Sequence, residues 1–233
     1  MQHYVFKMFQ VTAMVRNGYK KYSRKPDAVP YSVDDYIDII SHVAGKKLNP
    51  MSVNSKVKWE PKAFKGQIFK RGDEADILVP QVKTDARPHG VTECEQRFAV
   101  IKEACHTLLN VENTFVDQLS AHVTRVVTSG PSVVLNDVPS IIQDEYLGEI
   151  AAMELLFPFS KRDEYITKIK NKQTTTLKIA QRYKIPEKKV INTLSDGIHP
   201  ALKAHRGVWM DEMDNHIAGM PVPSVDMPPR SDC

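Results

Sequence analysis

The tightest constraint on this chain is the stretch Arg97-Phe98-Ala99-Val100-Ile101-Lys102-Glu103-Ala104-Cys105-His106-Thr107-Leu108-Leu109. Thr92, with Glu95 three residues on, forms a capping box, so the spacing predicts a helix that starts there. Phe98, Ile101, Ala104, Cys105 and Leu108 recur at helical intervals and predict one buried face. On another face Lys102 and His106 stand four apart, with Glu103 beside them. Residues four apart on a helix are neighbours, so an amine and an imidazole share a face with a carboxylate alongside. Cys105 points about 100° away from His106 around the helix and is expected to be a small buried packing residue.

The rest of the chain falls into segments around this helix. With 233 residues and 42% hydrophobic content it can bury a full core, as one domain or one domain with a small appendage. Residues 1–30 are expected to be a flexible basic extension, punctuated by Lys25-Pro26 and Val29-Pro30. Ser32 is an N-cap with Asp35 closing its box, and Tyr36, Ile37, Ile40 and Val43 make an apolar stripe up to Gly45. Short strand-like pieces follow at Val57-Lys58-Trp59, Gln67-Ile68-Phe69 and Ile77-Leu78-Val79, with a turn at Arg71-Gly72-Asp73, and predict a small antiparallel sheet. After the central helix the pattern predicts a helix over 111–127, ended by Ser129-Gly130-Pro131. Trp59 and Trp209 are expected to be packing residues.

Another helix is predicted over 140–156, with Ile142, Tyr146, Ile150, Met153 and Phe157 as its core stripe. Glu145 and Glu149 are four apart and share a face of it, and Pro158 stops it. Two short helices then flank Lys184-Ile185-Pro186, with Leu177, Ala180, Tyr183, Ile185, Val190 and Leu194 as apolar positions. Their spacing is that of a helix-turn-helix, and Lys188 and Lys189 open the second helix. Residues 161–189 hold ten Lys or Arg against Asp163, Glu164 and Glu187. A DNA-binding regulator using 174–194 is therefore a competing function, although lysines on exposed helices are commonly there for solvation alone. The tail, 206–233, is expected to be disordered.

No run of about 18 apolar residues exists, so no membrane span and no membrane partner are expected. The N-terminal stretch has no continuous apolar core of the kind that directs secretion. Cys94, Cys105 and Cys233 are an odd number at no metal-ligand spacing, which suits a reducing cytosol. A cytoplasmic protein is the expectation.

Two separated segments together resemble the ImmA/IrrE family of zinc-dependent metallopeptidases. The first is Arg97-Phe98 followed by Lys102-Glu103-Ala104-Cys105-His106, where the family has the zinc helix H-E-x-x-H. The second, Glu145-Tyr146-Leu147-Gly148-Glu149-Ile150-Ala151-Ala152-Met153-Glu154-Leu155-Leu156-Phe157-Pro158, is similar to the family's Glu-x-x-Ala-Asn-x-Phe-Ala-x-x-Leu-Leu-Met-Pro. Ala152, Leu155, Leu156 and Pro158 fall in register, whereas Gly148, Glu149 and Ala151 replace Ala, Asn and Phe. The resemblance covers roughly residues 32 to 195. It implies an α+β fold: a mostly helical zincin-like domain over 31–160, with the small antiparallel sheet, then a helix-turn-helix-like region over 161–205. It also implies zinc as cofactor, His106 and Glu145 as metal ligands, and Glu103 as the catalytic general base of peptide-bond hydrolysis. The implied partner is a regulatory protein, as substrate or as binding partner.

Lys102 occupies the altered ligand position, where the motif has its first histidine. A catalytic zinc needs three protein ligands and an open position for water, and the matching residues supply two. Deprotonating a lysine of ordinary pKa at neutral pH costs roughly 4–5 kcal/mol, so Lys102 is a poor substitute ligand. Alternatively its ammonium replaces the metal, neutralising Glu103, Glu145 and Glu149, and the chain is a pseudoenzyme. A third possibility is a displaced ligand, His89 or His122. Set against all three is an ordinary solvated helix face.

Overall fold

The fold is that of a computed structural model, which describes residues 2–53, 66–84, 90–109, 140–196 and 198–217. Among these are eight helices and three strands, an α+β architecture that is mostly helical. None of the described helices is long and apolar enough to cross a membrane.

Residues Gln2–Tyr22 form helix α1, where the sequence predicts a flexible extension. Met8, Thr12, Val15 and Tyr19 are buried and lie four, three and four apart, which is one face of a helix. The stripe is hard to see because a threonine interrupts it. Burial is tolerated there because the Thr12 hydroxyl donates to the Met8 carbonyl at 2.9 Å. α1 crosses α2 (Val33–Ala44) so closely that a Cβ on Gly18 would stand 2.9 Å from Ile39 Cγ2. Tyr19 stacks on Tyr36 with centroids 4.2 Å apart, and its hydroxyl accepts from the Ser32 amide at 2.8 Å.

α2 begins and ends where its caps predict. The Ser32 hydroxyl accepts from the Asp35 amide, and Gly45 closes the helix at φ 62°, a conformation that favours glycine. The Asp35 carboxylate accepts from the Ser23 hydroxyl at 2.6 Å, tying α1 to α2. The sheet is mixed rather than antiparallel. Its order is β1 (Lys47–Val53), β3 (Glu74–Pro80), β2 (Gln67–Arg71), with β1 parallel to β3 and β2 antiparallel to it. β1 escapes the sequence pattern because Pro50 interrupts it and only Leu48 is buried; as an outer strand of the described sheet it tolerates the proline. The strand predicted at 57–59 and the helix predicted at 111–127 lie outside the described residues.

Helix α3 (Glu93–Leu108) starts at the Thr92 capping box and is the centre of the fold. α2, α4 (Ser140–Leu156), β2 and β3 pack around it, so 98–108 are buried on every side rather than on one face. After α4, Pro158 leads into α5 (Phe159–Lys170), followed by α6 (Thr176–Tyr183), α7 (Glu187–Leu194) and α8 (Ile198–Ile217). The helical part of α8 extends through 206–217, inside the tail predicted to be disordered; the rest of that tail lies outside the described residues. One continuous core runs from Met8 to Leu202, and Leu177 and Tyr146, both expected inside it, are half exposed at 50% and 44%.

Candidate functional site

Because residues 98–108 of α3 are buried all round, the polar residues among them are buried too. Lys102, Glu103 and His106 are 3%, 3% and 4% exposed. Charges so placed cost several kcal/mol each unless paired. The partner comes from α4: Lys102 Nζ lies 2.6 Å from Glu145 Oε2 and 2.8 Å from Glu103 Oε1. The bond to Glu145 is a well-directed hydrogen bond, whereas Glu103 Oε1 makes an ion contact without hydrogen-bond geometry. Glu145 is 41% exposed and forms the solvent side of the cluster. The structure thus brings Lys102, Glu103, His106 and Glu145 together.

Protonation follows from these contacts. Burial pulls the Lys102 ammonium down, but Glu103 and Glu145 outweigh it and hold it above its ordinary value. Burial raises the Glu103 carboxyl, Lys102 offsets part of that, and Glu145 adds to it. Any relief of the pair therefore comes by Glu103 taking a proton, not by Lys102 losing one. His106 is pushed down to about 4, first by burial and then by the Lys102 charge, so it is neutral at pH 7. Neither ring nitrogen has a hydrogen bond among the described residues; Nε2 stands 3.5 Å from Glu145 Oε1.

Two glycines make room for this cluster. A Cβ on Gly148 would stand 2.6 Å from His106 Cε1 and 2.9 Å from Nε2, so α4 rests its bare backbone on the imidazole. A Cβ on Gly66 would stand 2.9 Å from Glu103 Oε1. Gly66 does not stand out in the sequence, and Gly148 does so only as the replacement of an Ala in the resembled motif, since the close approach is made between distant segments.

These donors do not fit a resident catalytic zinc. Of the three positions, only His106 and Glu145 offer lone pairs; the third holds a protonated amine hydrogen-bonded to Glu145. No group of three or more His, Cys, Asp or Glu able to hold a metal occurs among the described residues, and His89 and His122 lie outside them. Cys105 is fully buried and its thiol is raised to about 12, which suits its expected packing role.

Glu145 and Glu149 share a face of α4 but serve different partners. Glu149 Oε2 pairs with Lys189 of α7 at 2.5 Å, and that ammonium also lies 5.1 Å from the centre of the Phe98 ring. A cavity of about 50 Å³ opens beside this pair, bordered by Tyr146, Met153, Asn192 and Leu202. It has room for a few water molecules.

A second buried ion pair gives no sign of itself in the sequence. Arg162, 1% exposed, donates through Nη2 to Glu154 Oε2 at 3.2 Å and to the Phe157 carbonyl at 3.0 Å. Glu154 Oε2 also accepts from the Phe159 amide at 3.0 Å, so the pair fixes the turn from α4 to α5. Arg97 at the start of α3 donates to the Tyr31 and Lys184 carbonyls, holding the α6–α7 turn against the central helix.

No family model, curated protein or solved structure matches this chain. Its function therefore rests on its own residues and geometry.

Proposed function

We propose that this chain is an ImmA/IrrE-like protein in which the Lys102 ammonium has taken the place of the metal, and that it acts by binding a regulatory protein rather than by cleaving one. The carrying observation is the pair of contacts from Lys102 Nζ, 2.8 Å to Glu103 and 2.6 Å to Glu145, in a position 3% exposed. In the zinc enzymes that the sequence resembles, a divalent ion compensates the carboxylates at this helix crossing. Here a side chain of α3 does so, which preserves the packing of α3 on α4 without any ion.

The same contacts weaken the hydrolytic alternative. Glu103, the residue matched to the general base, is held against an ammonium that cannot activate water as a Lewis acid does. His106 carries no positive charge at neutral pH and offers no substitute. The rim is accessible, with Glu145 41% exposed and Tyr146 44% exposed beside it. An exposed aromatic suits a protein partner.

Calorimetric titration of zinc into the full chain and its Lys102→His variant tests the reading. The wild type is expected to show no stoichiometric uptake at micromolar zinc. Lys102→His, which completes a three-donor set with His106 and Glu145, is expected to bind close to one equivalent. Stoichiometric binding by the wild type, lost on His106→Ala, would overturn it.

A further inference from the structure

The helix pair α6–α7 is not used by the cluster at Lys102. α6 ends at Lys184, whose φ of 50° puts it in the left-handed region, and the amides of Lys184 and Ile185 both return to the Ala180 carbonyl. Ile185 and Pro186 then carry the chain directly into α7. The Thr176 hydroxyl donates to Glu187 Oε1 at 2.7 Å, pinning the start of one helix to the start of the other. Ile179, Ala180, Tyr183, Ile185 and Val190 are buried, Tyr183 with its ring against Phe157 and Tyr165. A sharp three-residue turn between two short helices with this apolar spacing is what a helix-turn-helix requires, a motif whose second helix enters a major groove.

The outward faces carry matching chemistry. On α7, Lys188, Ile191 and Asn192 are exposed and lie three and four residues apart, on one face of the helix. Lys189, by contrast, is held against Glu149, so that α7 keeps its inner face on α3 and α4. On α6, Lys178 and Arg182 are exposed and four apart, and Lys170 and Lys172 precede them. None of Lys170, Lys172, Lys178, Arg182 and Lys188 has a carboxylate within ion-pairing distance among the described residues. The local acids are engaged elsewhere: Glu187 by Thr176, Glu164 by Lys168, and Asp163 by His199 and Lys203. Asp196, the remaining acid here, is past the C-terminal end of α7. Four cations, Lys170, Lys172, Lys178 and Arg182, thus flank an exposed Lys-Ile-Asn face.

We propose that α6 and α7 dock on duplex DNA, with Lys188, Ile191 and Asn192 facing the base edges of the major groove and Lys170, Lys172, Lys178 and Arg182 against phosphates. Asn192 is suited to an adenine edge and Ile191 to a thymine methyl. The site is independent of the metal-free reading of Lys102, so either can fail alone.

The test is fluorescence anisotropy of a labelled random-sequence duplex titrated with the full chain. If the four cations meet phosphates, affinity falls roughly 150-fold between 50 and 200 mM salt. Lys178→Ala/Arg182→Ala is expected to lower the salt slope by about 2, with circular dichroism unchanged because both residues are exposed. Enrichment from a randomised duplex pool is expected to yield a preferred sequence, and Asn192→Ala to abolish the preference. No binding at 50 mM salt with tens of micromolar protein would overturn the proposal. Equal binding to anionic phospholipid vesicles, with no preferred sequence and no effect of Asn192→Ala, would also overturn it by marking an unspecific polycationic surface.

Discussion

Replacing Lys102 by methionine removes the ammonium while keeping the length and apolar stem of the side chain. What remains is unequal. Glu145, with 41% of its side chain exposed, recovers solvation by turning outward, whereas Glu103, at 4%, is left as an uncompensated buried carboxylate. Breaking a buried pair costs about 3–5 kcal/mol, and with Glu145 resolvated the lower end applies, about 3 kcal/mol at pH 8. For a chain of this size that is a fall in Tm of roughly 6–12 °C. The loss depends on pH with a definite sign. Burial already raises the Glu103 carboxyl, and deleting Lys102 raises it further. Over the window above the ordinary carboxylate range, the folded variant holds a proton that the unfolded chain has released, so its stability falls as pH rises. At pH 5 the loss shrinks to about 1–2 kcal/mol, and Lys102→Met/Glu103→Gln recovers most of it at pH 8. Urea unfolding followed by circular dichroism at both pH values measures this. A Lys102→Met variant within about 0.5 kcal/mol of wild type at pH 8, or equally damaged at both, would refute the account of the pair.

Three further outcomes follow from the packing. His106 is held neutral down to about 4, while in the unfolded chain it takes a proton near 6.5, so its contribution to stability is lost as pH falls through that window. Between pH 7 and pH 5 this is about 2 kcal/mol; comparing wild type with His106→Gln isolates it, and a pH-independent difference between the two would contradict it. Gly148→Ala drives a methyl into the His106 ring and is expected to cost about 1–3 kcal/mol, partly restored by adding His106→Ala; a neutral Gly148→Ala in thermal unfolding would show that α4 does not rest on the imidazole. Arg162→Met strands Glu154 inside the protein and is expected to cost about 3–5 kcal/mol, with Glu154→Leu/Arg162→Met milder than the single variant; the reverse order would mean the pair does not act as a unit.

Parts of this molecule are written locally and parts are not. The Thr92 capping box, the left-handed Gly45 and the αL turn at Lys184 are each decided within a few residues, so the helices they bound are legible. The meeting of Lys102, His106 and Glu145 is half legible: helical periodicity sets the first two on one face, but only tertiary packing brings α4 against them. α1 is obscured because Thr12 breaks its apolar stripe, and β1 because Pro50 breaks its alternation. Tyr146 is misplaced because its periodicity fits a core stripe equally well, and the choice of face belongs to the neighbours of α4. Glu154 and Arg162 look like ordinary surface charges until the α4–α5 turn closes on them.

The proposal stands or falls on whether the Lys102 ammonium occupies a place that the zinc peptidases the sequence resembles give to a metal. Elemental analysis of the full chain, purified without chelators from zinc-supplemented cells, tests it most directly. Less than about one-tenth of a zinc per wild-type chain is expected, and close to one in Lys102→His. Near-stoichiometric zinc in the wild type, removed by His106→Ala or Glu145→Ala, would contradict it.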